Sequence, residues 1–174
     1  MEKRVLSILI VLFFISLPSL AKHIAGGEMS YTYLGPSSNA SNSGRYSVTL
    51  KLYRDCNTDG AQLDANAIIT IYPGGSSSYF ANRSIPLTYK ETIALVKPDP
   101  CISNPPVICY EVGYYTFEID LPFSPSGYAI SYQRCCWTGA IDNIVDPANN
   151  GITLTTFIPG TALVGVHNQG ARFI

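Results

Sequence analysis

Hydrophobic residues alternate with polar ones over much of this chain, and no stretch shows the 3.6-residue spacing of an amphipathic helix. Tyr46, Val48, Leu50 and Leu52 alternate with Ser47, Thr49 and Lys51. Tyr128, Ile130 and Tyr132 alternate with Ala129, Ser131 and Gln133. A period of two marks a strand with one face against a core. The pattern predicts strands over 28–34, 45–54, 67–72, 79–85, 91–95, 113–121, 128–134 and 152–158. Turn chemistry separates them: Gly35 to Asn39, Asn57-Thr58-Asp59-Gly60, Pro73-Gly74-Gly75, Pro122 to Gly127, and Asn149-Asn150-Gly151. Short strands with this punctuation predict an all-β fold, a two-sheet antiparallel sandwich of immunoglobulin-like type stapled by disulfides.

Two of these strands end alike. Leu50, Leu52, Arg54 and Cys56 share one parity, as do Ile130, Tyr132, Arg134 and Cys136. In each, an apolar face leads through an arginine to a cysteine, which suggests neighbouring strands joined at one end.

The first residues follow another rule. Lys3 and Arg4 precede an apolar run over 5–17, closed by Pro18, and Ser19-Leu20-Ala21 offers small residues for cleavage. Residues 1–21 therefore read as a secretory signal peptide, and the run is too short to span a bilayer. Residues 22–174 form a single domain of normal size. Without the leader, 9 basic and 11 acidic residues remain, since Lys3, Arg4 and Glu2 leave with it. No basic run points to nucleic acid, and no further membrane span is present.

All five cysteines, 56, 101, 109, 135 and 136, follow the leader, so export predicts disulfides. Cys101 and Cys109 flank a short Pro-containing loop; a bridge there would contribute about 2.5 kcal/mol by chain entropy. A bond between adjacent Cys135 and Cys136 would force their shared peptide out of its usual geometry. Parity sends Cys136 inward. The expected pattern is Cys101–Cys109 and Cys56–Cys136, with Cys135 unpaired or joined to an external partner. A bulge that shifts the register would instead give Cys135 the bond.

Candidate chemistry is sparse. Asp55, Asn57, Asp59 and Gly60 match the first half of a calcium loop, and Asp64 would add an oxygen. The closing acid is absent, since Asn66 stands in its place, and an Asx-rich turn is the favoured reading. Glu111, Glu118 and Asp120 are close in sequence, but Glu118 and Asp120 alternate with Phe117, Ile119 and Leu121 and read as a solvent face. His23 and His167 read as surface histidines rather than partners of a catalytic thiol. Trp137 and exposed tyrosines would stack on sugar rings, while most of the twelve tyrosines are expected in the core and in cross-strand pairs. Asn39-Ala40-Ser41 and Asn82-Arg83-Ser84 fit a glycosylation sequon.

Three ordered stretches carry a resemblance: His23-Ile24-Ala25-Gly26-Gly27-Glu28, Leu50-Lys51-Leu52-Tyr53-Arg54-Asp55-Cys56, and Ser131-Tyr132-Gln133-Arg134-Cys135-Cys136. Together they resemble the N-terminal module of large secreted Bacteroidota surface proteins. Those proteins carry polycystic-kidney-disease (PKD) type repeats and a gliding-motility-associated C-terminal sorting domain. The resemblance implies export to the cell surface and no established activity or cofactor. Related proteins continue into further domains near the position of Ile174, and an unpaired Cys135 would suit such a continuation. The expected function is a non-enzymatic structural or adhesive module of a cell-surface or secreted protein, with other domains of that protein or cell-surface components as partners. The alternative is a carbohydrate-binding module that uses exposed aromatics, with or without calcium.

Overall fold

A computed structural model describes residues 24–57, 60–94, 101–105, 107–139, 141–161 and 170. Eight strands form: β1 (Ile24–Pro36), β2 (Ser43–Asp55), β3 (Asn66–Pro73), β4 (Ala81–Pro86), β5 (Tyr89–Ala94), β6 (Cys109–Pro122), β7 (Tyr128–Cys135) and β8 (Gly151–Ile158). Between β7 and β8 lies a single 3-10 turn, Pro147–Asn149. All eight predicted strands are present, most of them longer than expected. The expected signal peptide, His23, Asp59 and His167 lie outside the described residues.

The strands make two antiparallel four-stranded sheets, ordered β1-β2-β6-β5 and β4-β3-β7-β8. This is the immunoglobulin order A-B-E-D and G-F-C, with β4 as an added strand beside C. The inner faces follow from parity. Tyr46, Val48, Leu50 and Leu52 of β2 and Tyr115, Ile119 and Leu121 of β6 face Ala67, Ile69 and Ile71 of β3 and Ile130 and Tyr132 of β7, all buried. The β2–β6 ladder keeps register from Ser43 opposite Pro122 to Asp55 opposite Tyr110. β1 ties the sheets together at its start. Ile24 forms a parallel bridge with Trp137, and its carbonyl accepts from the Thr138 N–H at 2.8 Å. The turn before β7 requires glycine at 127. Its φ is +72°, and a Cβ there would lie 2.1 Å from the Ile158 carbonyl oxygen.

Strands β2 and β7 are not the side-by-side neighbours that their shared pattern suggested. They are inner strands of opposite sheets, and their cysteines pair differently from expectation. Cys56 bonds to Cys109 and Cys135 to Cys136. The expected Cys56–Cys136 and Cys101–Cys109 bonds are corrected accordingly. The cause is the ladder itself. One step past Asp55 opposite Tyr110, Cys56 meets Cys109 with 5.4 Å between Cα atoms, and its N–H donates to the Cys109 carbonyl at 3.1 Å. Parity turned Cys56 inward correctly, but the nearest sulfur lies beside it in the same sheet rather than across the core. Cys136 is buried and Cys135 exposed, as parity predicts, yet the two bond to each other through a cis peptide. Cys101 is exposed.

The crossing from β2 to β3 closes this end of the sandwich. Arg54, 5% exposed, donates from Nε to the Ala61 carbonyl at 2.8 Å, from Nη2 to the Gly60 carbonyl at 3.0 Å, and from Nη1 to Glu111 at 2.8 Å. Arg134, from the opposite sheet, pairs with Asp64. Tyr115 donates its hydroxyl to the Asp64 carbonyl at 2.7 Å, and burial pushes that phenol up to about 12. Leu63 plugs the core below.

Candidate functional site

The outer faces of the two sheets differ in chemistry. On the sheet of β4, β3, β7 and β8, one row across the strands reads Asn82, Thr70, Ser131 and Thr155. That row is small and polar, with Thr155 donating to the Ser131 hydroxyl at 3.2 Å, and the rows on either side expose Ile68 and Phe157 singly.

The sheet of β1, β2, β6 and β5 presents an aromatic grid on its outer face. Its first row is Glu28, Lys51, Tyr114 and Tyr89, and the next is Gly26, Tyr53, Val112 and Glu91. A third, at the sandwich end, holds Asp55, Tyr110 and Ile93. Tyr89 is 58% exposed, and Tyr110 and Ile93 are also exposed. Val112, although on the outer face, is buried among these neighbours.

The polar groups of the grid are tied down. Lys51 pairs with Glu28 at 2.7 Å and stands 5.6 Å from the centroid of the Tyr114 ring, within cation–π range. Tyr114 donates to Glu91 at 2.5 Å and Tyr53 to Glu28 at 3.4 Å. The hydrogen bond to Glu28 raises the Lys51 pKa, and the one to Glu91 raises that of Tyr114. Burial, and then the charge of Glu28, raise that of Tyr53. Tyr89 and Tyr114 are tilted at 45° with centroids 5.5 Å apart. Beside this array a cleft of about 190 Å³ opens between Ala25, Gly26, Tyr53 and Tyr110. A β-bulge between Ile24 and Gly26 shapes its edge, and a Cβ on Gly26 would meet nothing within 4 Å.

Other residues singled out in the sequence lie elsewhere. Trp137 is half-buried against the core and donates its indole N–H to the Gly151 carbonyl at 3.1 Å, so it is not a free platform. Asp55 accepts from the Asn57 N–H at 2.9 Å, closing an Asx turn, and the Asn57 side chain donates to the Val107 carbonyl. Asp64 is taken by Arg134. These oxygens are engaged by the protein, and among the described residues no three of His, Cys, Asp and Glu form a metal-holding group.

The carboxylates do not share a cleft. Glu118 pairs with Arg45, and Asp120 accepts from Asn39, on the outer face. Glu111 takes the opposite parity and pairs with Arg54 and Lys90. Its pKa is held below the ordinary glutamate value by the Lys90 hydrogen bond and then by Arg54, against the opposing effect of burial.

Sequence reasoning missed the tyrosine grid. Of the twelve tyrosines, Tyr31, Tyr46, Tyr115, Tyr128 and Tyr132 are buried. Tyr33 stands opposite Tyr46 and Tyr89 opposite Tyr114 in cross-strand pairs, so eight of the twelve lie in the core or in such pairs, as expected. The available signal was phase: Tyr110, Val112 and Tyr114 are apolar or aromatic on the parity opposite to Tyr115, Ile119 and Leu121. Comparison with protein-family models, with curated proteins and with solved structures finds no match.

Proposed function

We propose that this chain is a non-enzymatic extracellular adhesive module of a bacterial cell-surface or secreted protein, and that it binds through the outer face of the β1-β2-β6-β5 sheet. The observation that carries the reading is the tyrosine grid. Aromatic side chains that already sit on a rigid sheet, with the hydroxyls of Tyr53 and Tyr114 anchored on Glu28 and Glu91, lose little freedom on binding and offer large contact area. The disulfides suit an oxidising compartment. Among the described residues, Glu111 and Glu118 are held in ion pairs and Asp120 accepts from Asn39, rather than lining a common cleft, which favours binding over hydrolysis.

The test uses beads coated with the exported chain and presented to cells of the producing strain. Wild-type beads are expected to attach, and beads carrying the chain with Tyr89→Ala and Tyr110→Ala to attach no better than albumin-coated ones. Wild-type attachment at the albumin level would remove the adhesive reading.

A further inference from the structure

We infer that the tyrosine grid binds a neutral polysaccharide; this deepens the adhesive reading above and rests on it. The choice of partner follows from the mixture of groups on the face. Tyr89, Tyr110, Tyr114 and Tyr53 present aromatic surface, on which the C–H face of a sugar ring packs. Between them stand fixed hydrogen-bonding groups, Glu28, Lys51 and Glu91. Sugar hydroxyls both donate and accept, so one ligand class satisfies carboxylate and ammonium alike. A protein partner covering the same face with apolar side chains would strip water from the Lys51–Glu28 pair and from Glu91 without replacing its hydrogen bonds, which is costly.

Charge argues for a neutral chain. The basic residues of this face, Lys51 and Arg45, each already hold an acid, Glu28 and Glu118. Among the described residues, no basic side chain of this face is left to select a sulfated or uronic polymer. The dimensions argue for a polymer rather than a single sugar. Tyr114 and Tyr110 are four residues apart on one strand, about 13 Å at the usual rise. The cleft at Gly26 continues the surface beyond Tyr53 across the bulge. Its lining is Ala25, Gly26 and two tyrosines, a concave apolar seat at the edge of the polar rows.

The experiment is native affinity electrophoresis in gels containing barley β-glucan, xylan, galactomannan or dextran, with chondroitin sulfate as the anionic comparison. At least one neutral polymer is expected to retard the wild-type chain. Tyr89→Ala and Tyr110→Ala should each weaken that binding roughly tenfold. Phe157→Ala, an exposed aromatic on the opposite sheet, should leave it unchanged. Equal melting temperatures would show that the variants fold. No retardation by any neutral polymer, retardation by chondroitin sulfate alone, or equal binding by the tyrosine variants would overturn the inference.

A second arm separates this inference from the adhesive reading. Bead attachment that survives protease treatment of the target cells and is lost after periodate oxidation of their sugars supports a polysaccharide partner. Attachment lost to protease and untouched by periodate overturns it and leaves adhesion standing. Absence of wild-type attachment removes adhesion itself, whatever the gels show.

Discussion

Strands β2 and β7 carry nearly the same inward sequence and end in different chemistry. Leu50, Leu52 and Arg54 on one side match Ile130, Tyr132 and Arg134 on the other. Both arginines reach the crossing segment 60–65 from opposite sheets and hold it between them. Arg54 does so from a closed site with two carbonyls and a carboxylate. Arg134 has Asp64, while its buried Nε and the buried Tyr132 hydroxyl have no hydrogen-bond partner among the described residues. Burial lowers the Arg134 pKa, as expected where desolvation is incompletely offset. Parity placed both side chains alike. What differs is what the neighbouring strand supplies: β6 brings Glu111 next to Arg54, and β8 brings Ile152 opposite Arg134.

The sharpest way to break the comparison is to remove the covalent support on the β2 side. Cys56 and Cys109 are 53 residues apart, so their bond restrains a long loop of the unfolded chain and contributes about 4 kcal/mol by the chain-entropy estimate. Replacing both by serine should lower urea stability by that order. Cys135–Cys136 closes no loop, so the paired serine replacement there should cost much less. Equal losses would mean that the two strand ends are supported alike.

The arginines come next. Arg54→Met leaves Glu111 partly desolvated, with Lys90 as its remaining charge partner, and should cost about 3 kcal/mol. Arg134→Met removes a more exposed pair and an unmatched Nε, so about 1 kcal/mol is expected. Thermal unfolding of the two variants side by side checks the order, and a larger loss at Arg134 would reverse it.

Acid should expose the smallest difference. The Glu111 carboxyl has its folded pKa lowered, so the stability it contributes is complete above the ordinary glutamate value of 4.5. That contribution is lost as pH falls from there through the lower folded value. Glu111→Gln should flatten this limb of the stability–pH curve. Asp64→Asn, on the Arg134 side, is expected to leave the Glu111-dependent limb in place.

Most of the architecture was readable from the period of two, because a strand half-buried in a sandwich needs no partner to declare its face. Val48, Leu50 and Leu52 point inward whatever lies opposite. Disulfide partners were harder, because they depend on register. Cys56 and Cys109 meet only because β6 runs on from Gly113 through Glu111 to the cysteine, an extension whose apolar positions, Tyr110 and Val112, alternate on the outward rather than the inward phase. The candidate site was hidden for a related reason. Tyr110 and Tyr114 read as core residues until the inward phase of Tyr115 and Ile119 is fixed. The phase then turns them outward, where strands β1 and β5 bring Glu28 and Tyr89 to the same face.

Strand β1 begins at the disulfide end of the sandwich, while β8 finishes at the other, with Ile158 opposite Tyr128. Tension applied between the start of β1 and the end of β8 therefore runs along the strands. The rungs of the β1–β2 ladder lie across that direction and bear the load together in shear, rather than opening one after another like a zip. The bridge from Ile24 to Trp137 adds a rung to the second sheet at the point where tension enters. The sandwich therefore resists tension best along its strand axis.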